Sequence, residues 1–194
     1  MNDEQFRQLQ GMVPKSPLLS PVLHNWDKVA LPGAWLVAGA IAQTVWNHTF
    51  GLPPAHGIND IDIVYFDAND LSEDGEAEHA TRVRRTFSDL TVWIDVKNEA
   101  KVHLWYEAKF GYPITPYVST TDAIATFPTT ATAVGLLPRN SGLELCAPFG
   151  LSDLLGGVVR ANKIQIRRQI YEQKVSRWIE VWPNLSVVGW LEGE

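Results

Sequence analysis

The stretch Asn59-Asp60-Ile61-Asp62-Ile63-Val64-Tyr65-Phe66 decides how the chain is read. It is rich in β-branched and aromatic residues and follows a Pro- and Gly-rich loop from Gly51 to Gly57, so it predicts a strand from Asp60 to Phe66. Side chains in a strand alternate between faces. Asp60 and Asp62 therefore share one face, while Ile61 and Ile63 point into an apolar layer on the other. Two like charges held side by side repel and raise each other's pKa unless a cation lies between them. Hard divalent ions prefer such oxygen ligands, so the pair predicts a metal-holding face. An exposed edge strand with two solvated aspartates is the plainer reading of the same residues.

Upstream, Pro32-Gly33 precedes the short apolar run Trp35 to Ala38, then Gly39, then a helix-capable stretch from Ala40 to His48. This parses as strand, glycine turn and helix. A glycine at that junction suits a site where backbone amides and the helix dipole receive a phosphate, or simply a turn and close packing. Downstream, the acids from Asp67 to Glu78 run into Arg82, Arg84 and Arg85. They predict a solvated helix from about Glu73 to Phe87, with Asp70 and Glu73 as a capping pair. The β-rich run Thr91 to Val96 follows, placing Trp93, Asp95 and Lys97 on one face. Beside the first strand, Asp95 would supply a third carboxylate; paired with Lys97, it would be an ordinary surface residue.

Ala100 to Phe110 is open between strand and helix by period alone. Ser119 with Asp122 opens a short helix ending near Pro128. Thr129 to Leu136 and Leu143 to Cys146 read as strands, and Gly150 to Trp182 as helical, interrupted at Gly156-Gly157 and Asn162. At the start, Asp3 to Val13 is helical, and Val22 to Val29 follows a set of prolines. The expectation is an α/β (α+β) fold with a mixed β-sheet and helices packed on one side of it. It would form a single domain over residues 1–194: a helical lead-in at 1–30, a sheet-containing core at 33–148 and a C-terminal helical segment at 149–194.

A chain of 194 residues with 45% hydrophobic and 20% charged residues is composed like an ordinary globular protein. Its 16 Lys and Arg against 22 Asp and Glu give a formal charge of -6, which argues against a broad nucleic-acid surface or an anionic-membrane partner. One cysteine, Cys146, excludes an internal disulfide framework and a Cys-based zinc site. The opening MNDEQFRQLQ lacks a basic patch leading into an apolar run, and no apolar stretch is long enough to span a bilayer, so a cytoplasmic protein is expected. The eight tryptophans lack interleaved basic residues and read as packing rather than a stacking platform.

The order of these pieces resembles the DNA polymerase β-like nucleotidyltransferase superfamily, and in particular a little-characterised bacterial group of nucleotidyltransferase family proteins. The resemblance is carried by Val37-Ala38-Gly39 with Gln43-Thr44-Val45-Trp46-Asn47, by Asn59 to Asp67, and by Val96 to Tyr106. Phe127-Pro128-Thr129-Thr130 and Ala147 to Asp153 extend it, so that it covers roughly Trp35 to Asn162. It implies a nucleotidyltransferase-like fold in which Asp60 and Asp62 are paired metal ligands. Asp95 would be the third carboxylate, binding metal and activating a hydroxyl, with Glu99 close enough in sequence to compete for that role. Gly39, Ala40 and Lys97 would face the nucleotide, and Mg2+ (or Mn2+) would be the cofactor.

The implied partners are a nucleoside triphosphate and an unidentified hydroxyl acceptor: a small molecule, a nucleic-acid end or a protein. A non-catalytic nucleotide-binding or interaction module that keeps the fold is the alternative, and metal-assisted phosphate hydrolysis a third. Two departures from the superfamily pattern stand out. Ala40 offers no hydroxyl where a serine often follows the glycine. The Pro53-Pro54-His56 loop also lengthens the gap between Gly39 and Asp60, and would cover or block the site. Lys101 and His103 are further candidates to approach phosphate oxygens, with surface or core roles as their plainer readings. His56 has no partner at metal-ligand spacing. Arg160, Lys163, Arg167, Arg168, Lys174 and Arg177 read as a solvated basic face, with contact to a nucleic-acid phosphate as the alternative and Arg168 and Glu172 paired.

Overall fold

The computed structural model describes residues 3–191, so the outermost ends of the expected 1–30 and 149–194 segments lie outside the described residues. A five-stranded sheet has the order β3-β2-β1-β4-β5, formed by β1 (Trp35–Val37), β2 (Asp60–Tyr65), β3 (Trp93–Asn98), β4 (Gly135–Arg139) and β5 (Gly142–Cys146). β2 and β3 are parallel, joined through the helix α4 (Glu73–Thr86), and all other pairs are antiparallel, so the sheet is mixed as expected. In the parallel pair Asp60 faces Trp93, Asp62 faces Asp95 and Val64 faces Lys97.

The alternation predicted for β2 is realised. Ile61, Ile63 and Tyr65, with Ile94 and Val96 of β3, are buried in the main core together with Leu36 and Leu136. The helices α1 (Asp3–Met12), α2 (Leu19–His24) and α3 (Gly39–Thr49) pack into that same core, as does α4. Ala40 to Asn47 of α3 are all buried, so this helix runs through the centre of the molecule rather than along its surface. On the opposite face of the sheet lies a smaller cluster of Trp35, Val37, Val64, Ile124 and Leu137.

Several boundaries differ from those expected, each for a local reason. The cap of α4 is Ser72, whose Oγ accepts from Gly75 N at 3.0 Å. Asp70 instead accepts from the backbone and side chain of Ser72. Ala100 to Phe110 is helical, mainly as α5 (Val102–Phe110) ending at a left-handed Gly111, and α6 (Thr120–Ile124) is capped by Ser119. Thr129 to Ala133 is not a strand. Thr129 Oγ1 accepts from Thr132 N, and Ala133 N bonds to Thr129 O, so local hydrogen bonds override β-propensity there. The strand begins only at Gly135 and carries Pro138 beyond the reach of β1, where no second neighbour needs its N–H. Residues 149–194 are not wholly helical either. They hold the short α7 (Ser152–Leu155), a two-stranded sheet of β6 (Val158–Val159) and β7 (Ser186–Val187), and α8 (Arg168–Val181). No helix among the described residues is long and apolar enough to cross a membrane.

Candidate active site

A cleft of about 660 Å³ opens over the sheet face that carries the aspartates. Its floor is Asp60, Asp62 and Val64 of β2. Gly39 and Gln43 at the start of α3 form one wall, and Lys174, Arg177 and Trp178 of α8 form another. The loop expected to cover or block the site reaches the cleft only at Gly57, and it is tied down. Asn47 Nδ2 donates to His56 O at 2.8 Å, His56 Nε2 donates to Val181 O at 3.0 Å, and Trp182 Nε1 donates to Asn47 Oδ1 at 2.7 Å. Gly57, at φ +68°, packs against Val181 and Trp182 where a side chain would collide.

The turn from β1 into α3 is strained one residue earlier than the glycine suggested. Ala38 sits at φ 57°, ψ -124°, a region that disfavours residues with a Cβ, and strain of this kind gathers at functional sites. Gly39 has no positive φ, so its importance lies in space. A Cβ built there would lie 3.5 Å from Gln43 Nε2 and 3.9 Å from Asp62 Oδ2. Ala40 is fully buried in the main core, so only its backbone N–H is available toward a ligand. No side chain caps the start of α3.

Asp62 and Glu99 are the strongly perturbed carboxylates of the site. Burial first, then the charges of Asp60 and Asp95, push the Asp62 carboxyl up to about 7, opposed by Lys174. Glu99 is pushed up to about 8 by burial, then by Asp62 and Glu76. Burial, and then Arg177, hold the Lys174 ammonium below the usual lysine range, against the attraction of Asp62 and Asp60. Asp95 faces Asp62 across the strand pair but borders a second cavity of about 940 Å³. Its carboxylate lies 3.7 Å from Arg84 and 3.8 Å from Lys97. Lys97 also lies 3.5 Å from Glu76 and lines both cavities.

Lys101 is buried away from both cavities. It holds Glu73 at 2.7 Å and donates to Ser72 O, and so anchors the start of α4. The ring of His103 lines neither cavity.

Among the described residues no three His, Cys, Asp or Glu side chains converge as a group that would hold an ion. The donor chemistry of Asp60 and Asp62 nevertheless fits a hard divalent cation: two oxygen ligands share one strand face, and burial together with the neighbouring carboxylates raises the Asp62 carboxyl, a cost that a bound cation would relieve.

A nucleotidyltransferase family profile matches residues 24–187. The chain belongs to the nucleotidyltransferase family. A structure solved by NMR and described as revealing a CCA-adding enzyme head domain superposes with a TM-score of 0.77 at 27% identity, covering 94% of this chain and 95% of that one. No curated protein matches the sequence. The family and fold support nucleotidyl transfer, with a nucleoside triphosphate as the substrate that the family implies.

Within this nucleotidyltransferase the sequence reading missed Lys174 and Arg177. The basic face expected on the last helices is partly real: Arg168 pairs with Glu172 at 2.7 Å and Arg160 with Asp153 at 3.0 Å. Lys174 is half-buried and, with Arg177 three residues on, turns into the cleft. The i, i+3 spacing of two cations beside Trp178 was the available signal. Which way that face points was set by packing alone.

Proposed function

We propose that this chain is a cytoplasmic, metal-dependent nucleotidyltransferase that moves a nucleoside monophosphate from a triphosphate to a hydroxyl acceptor. The observation that carries this is Asp62: a half-buried, strongly perturbed carboxylate beside Asp60, on the floor of a cleft whose wall is the uncapped start of a helix. The amides of that first turn favour the anionic tail. Lys174 and Arg177 face it from α8 and offset its charge. Asp60 and Asp62 would hold a divalent cation, with Mg2+ or Mn2+ as candidates, and Asp95 is the proposed third carboxylate. A bound cation supplies charge neutralisation at the transferring phosphoryl group. Asp95 accepts the proton of the acceptor hydroxyl as its oxygen bonds to the α-phosphorus. The bond from that phosphorus to the bridging oxygen breaks, and pyrophosphate leaves with its electron pair.

The test is incubation with labelled triphosphates, Mg2+ or Mn2+ and candidate acceptors. Pyrophosphate release that disappears in Asp60→Asn and Asp62→Asn is expected. Tight nucleotide binding without turnover points to the non-catalytic module. A folded Asp95→Asn variant is expected to lose transfer; full activity in it moves the third-carboxylate role to Glu99.

A further inference from the structure

The start of α3 offers three backbone donors without a partner among the described residues. The first intrahelical bond runs from Ala42 N to Ala38 O, so the N–H groups of Gly39, Ala40 and Ile41 precede the ladder. One turn along, the side chain of Gln43 leans back toward the helix start, as helical side chains do. Gln43 borders the cleft with 9% of its surface exposed. Its Oε1 is buried with no partner among the described residues, and its Nε2 lies 3.5 Å from the point that a Cβ on Gly39 would occupy. Asp62 Oδ2 lies 3.9 Å from that same point.

An orphaned amide oxygen in a core position is a standing cost to folding that an apolar side chain of the same shape avoids. Leucine or methionine would serve packing better here. What glutamine adds is an N–H donor held by its buried surroundings beside the vacancy at Gly39. The ligand chemistry this suits is an oxygen-rich anion seated over the first turn of α3.

We infer that Gln43 is a specificity-determining residue for the polyphosphate tail of the nucleotide, its Nε2 donating to a phosphate oxygen that rests over Gly39. The inference rests on the nucleotidyl-transfer reading and adds a side-chain donor to a turn whose Ala38 and Ala40 have none to give. Gln43 acts on tail binding and leaves the nucleoside end untouched.

Titration calorimetry with magnesium present, using ATP, inorganic tripolyphosphate and AMP, tests this on wild-type protein, Gln43→Leu and Gln43→Met, with thermal unfolding followed in parallel. The expected result is a loss of about tenfold or more for ATP and tripolyphosphate, the range for a hydrogen bond to a charged acceptor, and unchanged AMP binding. The melting temperature should hold or rise, because the orphaned oxygen is gone; a purely structural role would lower it. Unchanged tripolyphosphate affinity in both variants overturns the inference, as does an equal loss for AMP or a fall in kcat with KM for the triphosphate intact. Wild-type protein that binds ATP but not tripolyphosphate overturns it while leaving nucleotidyl transfer standing. Wild-type protein that binds neither ATP nor tripolyphosphate overturns both.

Discussion

The two faces of β2 are built from alternate residues of one six-residue strand, yet they obey opposite rules. On the core face Ile61, Ile63 and Tyr65 are buried in the main apolar cluster, and local propensity and burial agree. On the cleft face Asp60 and Asp62 feel one another's charge, with Asp95 beside Asp62 across the strand pair and Glu99 lining the same cleft, and burial works against charge. The difference teaches where the strand spends its stability. Consistency across levels marks a fold, and a concentrated local violation marks the place where chemistry is expected.

The contrast breaks most directly at Asp62. Asp62→Asn is expected to cut transfer by ~10²–10³-fold or more, on the scale of losing one transition-state stabilising group. Its melting temperature should be equal to or above wild type near neutral pH, as measured by pyrophosphate release and thermal unfolding. On the other face, Ile63→Ala should cost about 2–5 kcal/mol by urea unfolding, with KM of the remaining folded enzyme little changed.

A third test uses pH. The folded-state pKa of Asp62 rises from 3.8 to about 7, and that of Glu99 from 4.5 to about 8. Between these values the folded chain holds protons that the unfolded chain has released. The contribution of these two groups to stability is therefore fully present at low pH and lost as pH rises from about 4 toward 8. Thermal unfolding of metal-free protein should show this decline. Asp62→Asn or Glu99→Gln should flatten it, and a divalent cation that binds the carboxylates should flatten it too.

The smallest effects are expected at the turn. Gly39→Ala should change stability by no more than about 0.5 kcal/mol, because φ is ordinary there and the added methyl makes van der Waals contact. It should nonetheless weaken triphosphate binding by filling the space between Gln43 and Asp62. Ala38→Gly should be neutral or stabilising, since it releases a positive φ.

The sheet was largely legible because its signals are local. The period of two in Asp60 to Tyr65 and the glycine after Val37 need no partner to be read. The acids before Arg82 likewise announced α4 on their own. What escaped depended on neighbours far along the chain. Lys174 looks like any exposed helical lysine until α8 is laid over β2, and the strain at Ala38 exists only once β1 is pinned between β2 and β4. Thr129 to Ala133 misled for a different reason, since threonine hydroxyls served the nearby backbone better than a ladder would have done. The pairing of Asp95 with Arg84 and Lys97 was foreseen only for the lysine, which is its sequence neighbour.

The cation-bearing wall of the cleft, α8, begins at Arg168, whereas the acidic strand it covers ends at Tyr65. A chain emerging from the ribosome thus displays its aspartates long before the helix that shelters them has been made. The hydrogen bonds from Trp182 to Asn47 and from His56 to Val181 form a latch that can close only once α8 has been made. Binding competence is in this way deferred until α8 has been made, and a nascent chain stalled short of residue 168 would carry the floor of the pocket without its far wall.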